Sequence, residues 1–213
     1  MPENTEPHKR HDRDDIADPG LTWSIGPERI AHVISNQAPG LGTTRLVTID
    51  GPAGAGKTTY AKQLADAMRG SGFTTATIQM DDLYNGWDGL SDPQLPSHLQ
   101  DWILRPLQSG QAIQHPVFDW ERKEFGGKRQ LPTADNLIVE GVGAGQPALA
   151  EYADFRLWLS APVSVRAARL RARQGPSPDE WWQRWRSQED EYFARHNPAA
   201  LADWIIDTAP SAL

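Results

Sequence analysis

Residues 51–58 read GPAGAGKT and satisfy the pattern G-x-x-x-x-G-K-[ST] in full. That spacing suits one kind of chemistry. Glycines let the chain fold tightly and turn the N–H groups around Gly51, Ala53, Gly54, Ala55 and Gly56 inward, onto phosphate oxygens. A helix starting near Lys57 adds the positive end of its dipole. Lys57 is expected to reach the β- and γ-phosphates of a nucleotide, the Thr58 hydroxyl to bind Mg²⁺, and Thr59 to touch the α-phosphate. The segment therefore predicts a phosphate-binding loop, or P-loop, for ATP and Mg²⁺.

Carboxylates recur where such a loop could use them. TIQMDDLYNGWDG (77–89) is an apolar run stopped by Asp81 and Asp82, and NLIVEG (136–141) ends on Glu140. Alone, the aspartate pair reads as a turn. If strand 74–80 lies beside the P-loop strand, however, Asp81 can take the proton of an attacking hydroxyl, with Asp82 turned toward solvent or the metal's water. Glu140 fits an acid that helps hold Mg²⁺, or else a strand-end cap. Arg166, Arg169 and Arg173 share one helical face. They suit a lid closing on the triphosphate, the plainer reading being a solvated surface. A guanine-reading N-K-x-D and a D-x-x-G switch are both absent from the sequence.

These residues need a frame. TRLVTID (44–50), TTATIQM (74–80), NLIVEG (136–141), FRLWLS (155–160) and DWIID (203–207) read as strands. Helical periodicity marks 27–37, 59–70 and 99–110, then a helix from Pro162 and another opened by Ser177, Pro178 and Glu180 as a capping box. Apolar strands alternating with amphipathic helices predict an α/β three-layer sandwich: a central parallel five-stranded sheet, helices on both faces, and a short arginine-bearing lid at about 166–180. Ligands then sit beyond the carboxyl ends of the strands.

Residues 1–20 read as a mobile polar tail and 21–213 as a single domain. With a net charge of −7, a long nucleic acid is a poor partner. The chain has no cysteine, hence no thiol chemistry, and no apolar run long enough to span a bilayer, so a cytoplasmic protein without membrane contact is expected. Of nine tryptophans, most are expected to pack the core, Trp181, Trp182 and Trp185 with Phe193 among them; Trp87 and Trp120 are candidates to line a pocket.

GPAGAGKTT, MDDLY, PVFDW, VEG and RAARLRAR, in that order, resemble the uridine kinase branch of the P-loop kinases, the group that includes phosphoribulokinase and bacterial pantothenate kinase. The likeness spans residues 44–207. It implies Asp81 as base, Tyr84 against the acceptor, Asp92 near the sugar hydroxyls, Phe118 and Asp119 as part of the acceptor site, and Arg166, Arg169 and Arg173 as lid arginines. The segment WERKEFGGKR lacks the family's base-reading histidine. It instead offers Arg122, Lys123, Lys128 and Arg129, either a solvated basic loop or a grip on an anionic acceptor. The expected activity is transfer of the γ-phosphoryl group to the hydroxyl of a small, nucleoside-like acceptor. The alternatives are a nucleotide kinase acting on a phosphorylated acceptor and an ATP-binding switch. A homo-oligomer remains compatible with the sequence.

Overall fold

A computed structural model describes residues 26–174 and 180–209. The proposed tail, and the Ser177–Pro178 start of the capping box, lie outside the described residues.

Helix α1 (Pro27–Ser35) leads into β1 (Arg45–Asp50), the P-loop and α2 (Lys57–Gly70). Strand β2 (Thr75–Gln79) runs into a 3-10 turn, Met80–Asp82, and a second one, Gly86–Ser91. A helical rod follows: α3 (Leu95–Leu99), a π-helical turn (Gln100–Leu104) and α4 (Arg105–Gln108). Strands β3 (Ile113–Asp119) and β4 (Glu124–Leu131) form a separate antiparallel hairpin. The chain returns through β5 (Asn136–Glu140), α5 (Pro147–Ala150), β6 (Phe155–Ser160), α6 (Val163–Gln174), α7 (Glu180–His196), α8 (Pro198–Leu201) and β7 (Trp204–Asp207).

The five sheet strands are all parallel, in the order β2-β5-β1-β6-β7. This matches the expected architecture but corrects one premise: β2 is not beside the P-loop strand, because β5 lies between them. Burial explains the order. All five residues of β5 are buried, whereas β2 buries only Ile78, and its Thr75, Thr77 and Gln79 suit an edge. The apolar strand takes an interior position, where both faces are covered, and leaves the edge to β2.

Alternation along the strands separates two cores. Leu46, Ile78, Leu137 and Val139 face α3, α5 and α7; Val47, Ile49, Ile138 and Leu157 face α1 and α2. Each such side chain stabilises the fold by about 2 kcal/mol. The sheet is thereby a rigid floor, and the carboxyl ends of β1 and β5 open into one cleft.

Candidate active site

The P-loop is held from every side. Gly54 adopts a φ of +80°, and a Cβ there would lie 2.7 Å from the Arg166 carbonyl, so only glycine fits between the loop and α6. Lys57, 7 % exposed, donates to the carbonyls of Gly51 at 2.6 Å and Pro52 at 3.1 Å. Burial pushes its pKa down, opposed by the nearby Asp50, Glu189, Glu140 and Asp81. The four carboxylates favour the charged ammonium, and burial still outweighs them.

A cleft of about 950 Å³ opens above the loop, its wall including Gly54, Gly56, Lys57, Thr58, Thr59, Asp81 and Glu140. Asp81 arrives on the turn after β2. Its side chain is open to the cleft yet flanked by protein, and this desolvation raises its pKa. Lys57 and Arg173 pull it back down, while Asp82 adds to the rise. Glu140, 3 % exposed at the end of β5, is also raised by burial; a hydrogen bond from the Thr58 hydroxyl and the charge of Lys57 oppose that.

Thr58 and Glu140 therefore meet as a hydroxyl and a carboxylate, hard oxygen donors of the kind Mg²⁺ takes. Among the described residues no three His, Asp or Glu side chains converge as a cage. A pair of protein oxygens suits an ion that completes its shell with water and phosphate. P-loop kinases use ATP with Mg²⁺, which neutralises charge on the phosphates.

The arginines of α6 reach the loop itself. Arg166 donates to the Ala53 carbonyl at 3.3 Å, and Arg169 donates to the Gly54 carbonyl at 3.3 Å. Arg169 also grips Thr208, donating to its hydroxyl at 3.0 Å and its carbonyl at 2.6 Å. Arg173, one turn further on, lines the cleft and acts electrostatically on Asp81.

Sequence reasoning placed Asp50 at a strand's carboxyl end without giving it a role, and missed Glu189 and Thr208, which also shape this loop. Asp50, 2 % exposed, accepts N–H bonds from Gly51, Gly143 and Gly145 and the hydroxyl of Tyr192 at 2.7 Å. Glu189, buried on α7, accepts the Ala53 N–H at 2.8 Å. Thr208, just past β7, donates to the Ala55 carbonyl at 2.7 Å. Signals existed. Trp185, Gln188, Glu189 and Tyr192 form a stripe at helical spacing that carries polar residues inward, and Thr208 follows a strand's carboxyl end.

The residues assigned to the acceptor fare differently. Tyr84 is fully buried, its hydroxyl donating to the Val142 carbonyl and its ring edge-on to Trp185 at 5.2 Å; it is a core residue and not part of the cleft wall. Asp92 accepts the Gln94 N–H at 2.8 Å and organises the start of α3. Asp119 accepts the N–H groups of Glu121 and Arg122, at 3.0 and 2.9 Å, and so shapes the hairpin turn. Phe118 is buried against Trp120 and Phe125, and Arg122 is exposed beside Asp119. Asp82 does not face solvent: Arg129 pairs with it at 2.6 Å. The basic segment 121–129 is mostly turn and strand β4, pairing with β3, rather than a loop. Trp87 and Trp120 do line the cleft, joined by Trp182 and Trp185.

Residues 47–194 match the AAA domain family, most of the chain. The chain is similar to the cytidylate kinase of Natronomonas pharaonis, 30% identical over 175 residues, which cover 77% of this chain and 81% of that protein. It is similar to the cytidylate kinase of Haloarcula marismortui too, at 31% over 134 residues, 61% of this chain and 58% of the relative. In structure it resembles a protein described as a possible uridine kinase from Bacillus stearothermophilus, with a TM-score of 0.65 at 22% identity, covering 85% of this chain and 97% of that one. No helix among the described residues is long and apolar enough to cross a membrane. With its phosphate loop, parallel sheet and arginine-bearing helix in place, the chain belongs to the AAA domain family and is a P-loop kinase.

Proposed function

We propose that this kinase transfers the γ-phosphoryl group of ATP to the hydroxyl of a small, nucleoside-like acceptor, with Asp81 as the base. The observation that carries the reading is Asp81 itself, on the cleft wall within electrostatic reach of Lys57 and Arg173. A phosphate acceptor is already ionised and needs no base; a hydroxyl does. In the proposed step the acceptor oxygen forms a bond to the γ-phosphorus as the bond to the β–γ bridging oxygen breaks. Its proton passes to Asp81, and ADP leaves. Lys57, Arg169 and Arg173 stabilise charge on the transferring group and the departing diphosphate.

The second reading is a nucleoside monophosphate kinase, favoured by the identity to proteins named cytidylate kinase. ADP release with nucleosides and with nucleoside monophosphates, for wild type and Asp81→Asn, separates the two. Under the hydroxyl reading, nucleosides stimulate release and Asp81→Asn loses it by a factor of about 10² or more. Stimulation by monophosphates alone, largely spared in Asp81→Asn, would establish the second reading instead.

A further inference from the structure

We propose that the tryptophan-lined end of the cleft is a ring-binding subsite, and that the acceptor is held there through a flat, uncharged ring rather than by a phosphate. The inference rests on the hydroxyl-acceptor reading and narrows it to unphosphorylated ring alcohols.

Three separate elements deliver indoles to one place. Trp87 comes from the turn Gly86–Ser91, Trp120 follows β3, and Trp182 and Trp185 lie on α7. Trp87 is the hub, edge-on to Trp120 at 5.3 Å, to Trp182 at 5.8 Å and to Trp185 at 6.3 Å. All four line the cleft. Trp120, which lines the cleft, keeps 37 % of its surface exposed, the kind of uncovered apolar area that a ligand's ring removes from water. Aromatic faces also accept any flat π-system with little regard to its edge pattern.

The neighbouring polar groups do not compete for the acceptor. Asp82 is paired with Arg129 at 2.6 Å, Asp88 with Arg184 at 2.6 Å, and Asp119 is engaged by turn amides at 3.0 and 2.9 Å. Among the described residues the cations on the cleft wall are Lys57, Arg169 and Arg173, which belong to the P-loop and α6. Lys57 and Arg169 donate to P-loop carbonyls, and Arg173 acts on Asp81. Arg129 and Arg184 already have carboxylate partners, so a second phosphate lodged among the indoles would have to displace Asp82 or Asp88 to reach either, and Asp81 would repel it. The Trp120 indole donates its N–H to the Asp81 carbonyl at 3.2 Å, so a ring resting on Trp120 carries its substituent toward the base.

The test combines two readouts with four compounds: cytidine, cytidine 5′-monophosphate, ribose and benzyl alcohol. ADP release is measured with each as acceptor, and quenching of tryptophan fluorescence is titrated with each, for wild type, Trp120→Ala and Trp120→Phe. Trp120 is partly exposed, so both variants are expected to fold, which their urea unfolding checks. Cytidine and benzyl alcohol are expected to stimulate release and to quench saturably, while ribose and the monophosphate are poorer by about tenfold or more. Trp120→Ala is expected to raise the KM for the two ring alcohols by about tenfold and leave that for ATP unchanged, with Trp120→Phe restoring most of the loss. The subsite is overturned if ribose or the monophosphate matches cytidine, or if Trp120→Ala leaves the ring alcohols' KM as it was; ADP release would still stand as evidence of a kinase. If cytidine quenches saturably, and loses that in Trp120→Ala, but no compound stimulates release, the subsite stands and the hydroxyl-acceptor reading falls. If cytidine neither quenches nor stimulates, the subsite falls.

Discussion

Asp81 is pulled in two directions. Desolvation by the cleft wall raises its pKa, while Lys57 and Arg173 lower it, and the rise prevails. A base works only when ionised. Turnover of a hydroxyl acceptor is therefore expected to fall as pH drops through the raised pKa of Asp81, giving an acid limb in kcat above the ordinary aspartate value of about 3.9. Burial lowers Lys57, so loss of its proton is expected to close the profile at a pH below the ordinary lysine value of about 10.4. A pH–rate profile that stays flat down to the ordinary aspartate range would remove Asp81 from the chemistry. Tyr84 is a contrasting case. Its hydroxyl bonds a buried carbonyl, so Tyr84→Phe is expected to cost about 1–2 kcal/mol in urea unfolding while the acceptor's KM stays unchanged. A KM increase without loss of stability would mean the tyrosine meets the acceptor after all.

Helix α7 acts on the P-loop at a distance of more than a hundred residues in sequence, through the Glu189 carboxylate on the Ala53 N–H. Glu189→Ala leaves that amide without its partner and is expected to lower stability by about 1–3 kcal/mol. Glu189→Gln retains an acceptor oxygen and should recover most of the loss. The sign of the pH effect follows from burial, which raises the pKa of Glu189. The folded protein then holds this proton more tightly than the unfolded chain. The residue's contribution to stability is greatest below the ordinary glutamate pKa and declines as pH rises toward the folded value. Subtracting the urea-unfolding profile of Glu189→Gln from that of wild type should expose this decline; a difference independent of pH would contradict it. Contacts like this one mark where sequence reading stops. The P-loop and the run NLIVE are local patterns and were legible, as was the arginine spacing on α6. Strand β4 was not, because its eight residues are exposed or half-exposed and carry no alternation of apolar and polar side chains. Nor was the partnership of Asp82 with Arg129, 47 residues apart, which depends on how the hairpin folds back over the turn after β2. Tyr84 was read as an acceptor contact because motif order places a residue along the chain but does not say which way its ring turns.

At the scale of the whole molecule, nucleotide binding and folding are linked through the cleft. The P-loop is tied to β6 and β7 through Thr208, to α7 through Glu189, and to the loop after β5 through Asp50. A ligand bound there stabilises only the folded chain. At a concentration of about 100 times its Kd, Mg·ATP is expected to add about 2.7 kcal/mol. For a chain of 213 residues, that corresponds to a rise in Tm of roughly 5–10 °C. Lys57 is the residue whose loss should abolish the shift, since its ammonium is the side-chain positive charge held within the loop itself. Lys57→Ala also strips the carbonyls of Gly51 and Pro52 of a donor, so the Tm of the free variant will move by itself. The informative quantity is therefore the difference between scans with and without Mg·ATP. That difference should be large in wild type, near zero in Lys57→Ala, and preserved in Asp81→Asn, which alters the acceptor side and not the cradle. A full shift surviving in Lys57→Ala would place the nucleotide somewhere other than the loop 51–58.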